Sequence, residues 1–209
     1  MRNPDLLAEA KDYRGRDEVP ADFDAFWDRQ ISSLSGLPDY QLIEKDFQIA
    51  GVTCYELVFE GTNQGRTYAR IVLPKSSKKV PIIFHFHGYM GRGWDWSDML
   101  AYTAAGYGVV SMDVRGQSGY SLDGGAPVRG NTVKGQIIRG AVDGPERLFY
   151  KDVYLDIYSL VEIVASLDLV DEERLSSYGA SQGGALALVA AALNPRIKQT
   201  VAIYPFMSD

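Results

Sequence analysis

Apolar positions recur along this chain with two different spacings, and the change from one to the other divides it. In 22–34, Phe23, Phe26, Trp27, Ile31 and Leu34 fall on one helical face, which predicts a helix lying on a sheet. Three β-branched and aromatic runs follow, at 40–49, 52–59 and 67–73, separated by Ala50-Gly51 and by Gly61-Thr62-Asn63-Gln64-Gly65. Runs of this kind punctuated by turn residues predict an antiparallel meander. From Val80 onward short apolar strands at 80–86, 108–114, 175–178 and 200–204 alternate with helical stretches at 96–105, 152–167 and 184–193. Such alternation requires crossover connections, and so predicts a parallel sheet. In 152–167, Val153, Ile157, Leu160, Val161 and Val164 form one stripe, as in a helix packed on a sheet face.

One stretch breaks this rhythm. Eight glycines lie between Arg115 and Pro145, with Pro127 and several polar residues among them, so the segment predicts a long loop rather than a helix. It reads either as a tolerated surface insertion or as a pocket wall or subunit contact.

The feature that carries chemistry sits at the last strand-to-helix junction. Ser181 is the centre of Gly179-Ala180-Ser181-Gln182-Gly183, between the apolar run ending at Tyr178 and the alanine- and leucine-rich stretch 184–193. The five-residue pattern is common, but in a strand, turn and helix it predicts a nucleophile elbow, a sharp turn that lifts a serine hydroxyl out of the fold. A serine nucleophile needs donors for the oxyanion of the tetrahedral intermediate. One is the backbone N–H of the following residue, Gln182, at a helix N-terminus whose dipole favours negative charge. The second is the backbone N–H of Tyr89, in His87-Gly88-Tyr89 directly after the strand 80–86. The Tyr89 ring is either a packing aromatic or a wall of an acyl pocket. Trp94 and Trp96 read as packing for the next helix.

The base is harder to find. The sequence has two histidines, His85 and His87, and both precede Ser181, whereas in this arrangement the acid and then the histidine follow it. His87 is expected to brace the loop and His85 to be a core residue. After Ser181 the only acidic residue is Asp209. Arg115, in Asp113-Val114-Arg115-Gly116-Gln117, reads as an ion pair or loop brace ahead of an anion ligand.

Composition narrows the class without naming a reaction. At 209 residues and 46% hydrophobic, the chain is long enough for one domain with a substantial core. The net charge of −6 is spread along it, which argues against a nucleic-acid surface. Cys54 is the only cysteine, so no disulfide forms within the chain and no thiolate cluster holds a metal. No metal constellation, phosphate-binding loop or cofactor motif is present, and 179–184 lacks the lysine of a P-loop. No apolar run has the length of a membrane span and the N-terminus has no signal-like core, so a cytoplasmic protein is the expectation.

Taken together, the residues 20–27 (Pro-Ala-Asp-Phe-Asp-Ala-Phe-Trp), His87-Gly88-Tyr89, Arg115-Gly116-Gln117, Gly179-Ala180-Ser181-Gln182-Gly183-Gly184 and Tyr204-Pro205-Phe206 resemble the acetyl xylan esterase and cephalosporin C deacetylase family, carbohydrate esterase family 7. The resemblance implies an α/β-hydrolase fold: a mostly parallel, doubly wound sheet with antiparallel N-terminal strands. It would be a single partial domain over 1–209, with a helical segment at about 1–36 and a glycine-rich insertion at about 115–148. It implies a serine esterase that deacetylates small O-acetylated substrates, with Ser181 as nucleophile and the amides of Tyr89 and Gln182 as oxyanion hole. It also implies a homo-oligomer, a hexamer in which the glycine-rich segment makes subunit contacts. Family members continue through two further strands that bring the triad aspartate and histidine. Those positions are therefore expected beyond residue 209, and the run 200–204 is expected to be left as a bare sheet edge. An inactive module kept for binding or assembly, and a serine peptidase of the same fold, are the other readings.

Overall fold

A computed structural model describes residues 8, 11–13, 15–124 and 137–206. In chain order its elements are helix α1 (Phe23–Ser32), strands β1 (Tyr40–Lys45), β2 (Val52–Glu60), β3 (Arg66–Pro74) and β4 (Val80–Phe86), helix α2 (Trp96–Ala104), strand β5 (Gly108–Asp113), helix α3 (Phe149–Ala165), strand β6 (Val170–Ala180), helix α4 (Gln182–Leu193) and strand β7 (Ile197–Ile203). Among the described residues these strands make one seven-stranded sheet in the order β1-β2-β3-β5-β4-β6-β7.

The change of period seen in the sequence is a change of strand direction. β1, β2 and β3 pair antiparallel, as the short turns between them demand, and β3 joins β5 antiparallel. β5, β4, β6 and β7 are then mutually parallel, because a helix intervenes each time the chain returns. This is the α/β-hydrolase arrangement. β4 lies at the centre, with β5 on one side and β6 on the other, so the carboxyl ends of these three strands surround the point where the chain reverses its winding. Ligands bind at such switch points in open α/β sheets.

Adjacent residues of β3 show the two layers. Ile71 joins the large core with α3 and α4, while Val72 joins Val109 of β5 and Met99 of α2 on the opposite face. The central strands are apolar on both faces because both are covered, and every residue of β5 is buried. In α3 the expected stripe of Val153, Ile157, Leu160, Val161 and Val164 is fully buried.

Three expectations need correction. Helix α1 does not lie on the sheet: the Trp27 ring meets Tyr154 of α3 at 5.7 Å, and Gln30 Nε2 donates to Glu146 at 2.7 Å. The sheet face is already occupied by α3 and α4, so α1 forms an outer layer with only Phe26 buried. Second, β6 begins earlier than the apolar pattern suggested, at Val170 beside Val80 of β4. Its Glu173 and Arg174 are exposed and fall where the register with β4 shifts, between the pairs Val80–Val170 and Ile82–Leu175, so no apolar alternation marks the strand there. Third, β1 stops at Lys45, leaving 46–49 outside the meander.

The glycine-rich region is not a free loop at its start. Leu122 pairs with Arg66 in an isolated antiparallel bridge, with N–H to O distances of 2.8 and 2.9 Å. Short 3₁₀ turns at Ala141–Asp143 and Pro145–Arg147 lead into α3. Pro127 and the glycines at 125, 130 and 135 lie outside the described residues.

Candidate active site

Ser181 is the single residue between the last residue of β6 and the first of α4, with φ 56° and ψ −123°. A non-glycine residue with this backbone is strained, and it persists only where the surroundings hold it. Here they do. The Ser181 N–H donates to the Ile203 carbonyl at 3.0 Å, and its carbonyl accepts from the N–H of Phe206 at 3.0 Å and of Ala185 at 3.2 Å. The flanking glycines are required by close approach: a Cβ on Gly179 would collide with the Gly183 carbonyl, and one on Gly183 with the carbonyl of Phe86. The elbow is thus pressed against the end of β4.

That end of β4 leads into 87–90, the loop with the second candidate donor. Met90, like Ser181, has a positive φ, at 61°. Its N–H donates to Gln117 Oε1 at 2.8 Å, and its carbonyl accepts from the Ser118 hydroxyl at 2.7 Å. Gln182 belongs to the same network, with a side chain that is completely buried. Its Oε1 accepts from Gln117 Nε2 at 2.8 Å and from the Tyr150 hydroxyl at 2.7 Å. Its Nε2 donates to Gln117 Oε1 at 3.2 Å and to the His87 carbonyl at 3.3 Å. The sequence pattern therefore brings Ser181, Gln182 and the Tyr89 loop to one place, the switch point. Gln182 is α4's first residue, so its own N–H has no acceptor within the helix. Tyr89 is 42% exposed.

Both histidines are engaged in the scaffold. The N–H of Val114 donates to His87 Nε2 at 2.9 Å, so that nitrogen carries no proton, and Nδ1 donates to the Gly88 carbonyl at 2.7 Å. Burial lowers the His87 pKa, against the opposing pull of that carbonyl and of Asp113. His85 stacks on Trp94 at 3.6 Å between ring centres and shares a 2.8 Å hydrogen bond with Ser111 Oγ. Burial, with the neighbouring His87, brings its pKa down to about 3. Trp94 also stacks on Tyr102 of α2, in its expected packing role.

The charged residues after β5 brace the loops. Asp113 accepts from the N–H of Gly93 at 2.6 Å and of Tyr120 at 2.8 Å, joining the loops after β4 and β5. Arg115 is buried and holds both oxygens of Asp156, at 2.7 and 2.5 Å, and the Thr62 carbonyl at 2.8 Å. It is fully used as a brace between α3 and the β2–β3 turn. Two residues at the site escaped the sequence reading. Gln117 had a signal, since it ends the Arg-Gly-Gln tripeptide, in which Arg115 is the charged residue. Nothing local marks Tyr150.

Proteins of similar sequence and fold are known. Acetyl xylan esterase 1 from Thermoanaerobacterium sp. JW/SL YS485 is 43% identical and superposes with a TM-score of 0.91, covering 97% of this chain and 64% of that one. The acetyl xylan esterase from Paenibacillus sp. R4 is 30% identical with a TM-score of 0.87, covering 96% and 65%. The acetyl esterase Axe7A of Xylanibacter ruminicola is 26% identical over 197 residues, 91% of this chain and 44% of that protein. Dipeptidyl-peptidase 5 of Schizosaccharomyces pombe is 30% identical over 170 residues, 73% of this chain and 21% of that protein. The chain thus spans less than two thirds of the length of each of these relatives. The acetyl xylan esterase (AXE1) family matches residues 1–209 throughout, and the chain belongs to that family.

Proposed function

We propose that the protein is a serine esterase that removes acetyl groups from small O-acetylated substrates, such as xylo-oligosaccharides or cephalosporin C. The observation that carries this reading is Ser181, held at φ 56° between β6 and α4 with the 87–90 loop fastened beside it. Ser181 Oγ attacks the acetyl carbonyl, and its proton passes to a general base. The oxyanion is held by the N–H groups of Tyr89 and Gln182, and the base gives its proton to the leaving alcohol oxygen as the bond from that oxygen to the acetyl carbon breaks. Water, deprotonated by the same base, then attacks the acetyl-enzyme, releasing acetate and returning the proton to Ser181 Oγ. Because His85 and His87 are both committed to the scaffold, the base and its orienting acid come from outside residues 1–209. A homo-oligomer in the cytoplasm belongs to the same reading, and sedimentation velocity tests its assembly.

The test is hydrolysis of p-nitrophenyl acetate. A chain extended to the length of the relatives should be active and should lose that activity in Ser181→Ala. The 209-residue chain should be nearly inert; robust turnover by it would return the role of base to His87. A serine peptidase is the second reading, favoured by the likeness to dipeptidyl-peptidase 5. Cleavage of acetyl esters with dipeptide amides left intact decides against it.

A further inference from the structure

Gln117 and Gln182 face each other as a reciprocal pair of carboxamides, and two backbone groups fix which way round they lie. The Met90 N–H can only donate, so the atom it meets on Gln117 is Oε1. Gln117 Nε2 must then meet Gln182 Oε1, and Gln182 Nε2 is left to face the His87 carbonyl, as observed. The Tyr150 hydroxyl closes the remaining acceptor position on Gln182. Burial raises the Tyr150 pKa, so the phenol remains a donor. Gln117 is 8% exposed, Tyr150 1% and Gln182 0%. A buried polar network with its members satisfied specifies one geometry, whereas the same groups left unpaired would be costly.

What this pair joins is specific. On one side is Met90, the residue after Tyr89, held at φ 61° by the bond to Gln117. On the other is the residue whose N–H begins α4 beside Ser181. We infer that Gln117 is a positioning residue for the oxyanion hole: through Met90 and Gln182 it sets the separation of the Tyr89 and Gln182 amides. This rests on the serine-esterase reading of Ser181. It assigns the glutamine of Arg115-Gly116-Gln117 a task separate from that of the arginine, which braces α3. Removing Gln117 frees Met90 to relax its strained backbone and to swing the Tyr89 N–H away from the developing charge.

The carboxamide pair has a close chemical mimic, which supplies the test. In Gln117→Glu a protonated carboxyl can donate its O–H to Gln182 Oε1 and accept from Met90 N–H and Gln182 Nε2, reproducing every bond. Once ionised it loses that donor and sets a carboxylate oxygen against Gln182 Oε1. Burial at position 117 raises a carboxyl above its ordinary value of about 4.3, so in the full-length protein, with p-nitrophenyl acetate from about pH 5 to about pH 9, the kcat of Gln117→Glu relative to wild type should start near parity. It should then fall about 100-fold as the carboxyl ionises, with KM little changed. Gln117→Leu should show the low kcat at every pH. A ratio for Gln117→Glu that stays near parity up to about pH 9, or a loss carried by KM, overturns the positioning role, as does Gln117→Leu with wild-type kcat. If Gln117→Leu does not fold, the near-isosteric Gln117→Glu still decides. A wild-type protein whose hydrolysis survives Ser181→Ala would instead remove the serine-esterase reading, and this role with it.

Discussion

The Val114 amide donates its hydrogen to His87 Nε2 at 2.9 Å, which ties the loop after β4 to the end of β5 through the imidazole. A ring nitrogen occupied in this way is not available to take the proton of Ser181. His87→Gln, whose side-chain oxygen can accept from the same amide, should therefore keep Ser181-dependent hydrolysis within about tenfold of wild type. Loss of a catalytic histidine costs on the order of a millionfold in kcat, so the two outcomes are far apart. Steady-state kinetics on p-nitrophenyl acetate is sufficient.

The ion pair of Arg115 and Asp156 makes a different kind of prediction. Breaking a buried pair by removing one partner leaves the other charge uncompensated and costs about 3 to 5 kcal/mol. Asp156→Leu should lower stability toward the low end of that range in denaturant unfolding, because Asp152 remains 3.8 Å from Arg115. Arg115→Met combined with Asp156→Leu should recover most of it, because the stranded guanidinium is gone. A double variant no more stable than Asp156→Leu would contradict this account.

Ser181 is predicted to weaken the fold it serves. A side chain held in this backbone region costs about 1 to 3 kcal/mol, and glycine removes that cost while losing about 0.5 to 1 kcal/mol to chain entropy. Ser181→Gly should be inactive yet more stable by about 1 kcal/mol. A thermal midpoint unchanged or lower than that of Ser181→Ala would show that the turn is not strained.

His85 should make stability depend on pH. Its pKa falls from an ordinary value of 6.5 in the unfolded chain to about 3 in the folded one. Below pH 6.5 the unfolded state binds a proton that the folded state refuses, so this contribution is complete above that value and is lost as the pH falls toward 3. Between pH 6.5 and pH 5 the loss is about 2 kcal/mol, at 1.36 kcal/mol per unit. His85→Phe, which keeps the stack on Trp94, should show a shallower decline in unfolding free energy over that interval.

The sheet was legible because its two halves carry different periods: β4 over Val80–Phe86 and the stripe of α3 follow directly from apolar spacing. The elbow was legible because close backbone approach leaves only glycine at 179 and 183, and that restriction is written in residue type. The placement of α1 was not, since its apolar face fits a helix layer as well as a sheet. Gln117 and Tyr150 were hidden for another reason. Their roles arise from hydrogen bonds between residues 32 or more apart in sequence, and an amide or a phenol in isolation does not announce its partner.

The attachment of Ser181 to the segment after β7 has a mechanical consequence. Both main-chain groups of the serine are bonded there, its N–H to the Ile203 carbonyl and its carbonyl to the Phe206 N–H. The backbone that carries the hydroxyl is therefore coupled to 203–206, and a shift of that segment is passed to Ser181 without any change within α4.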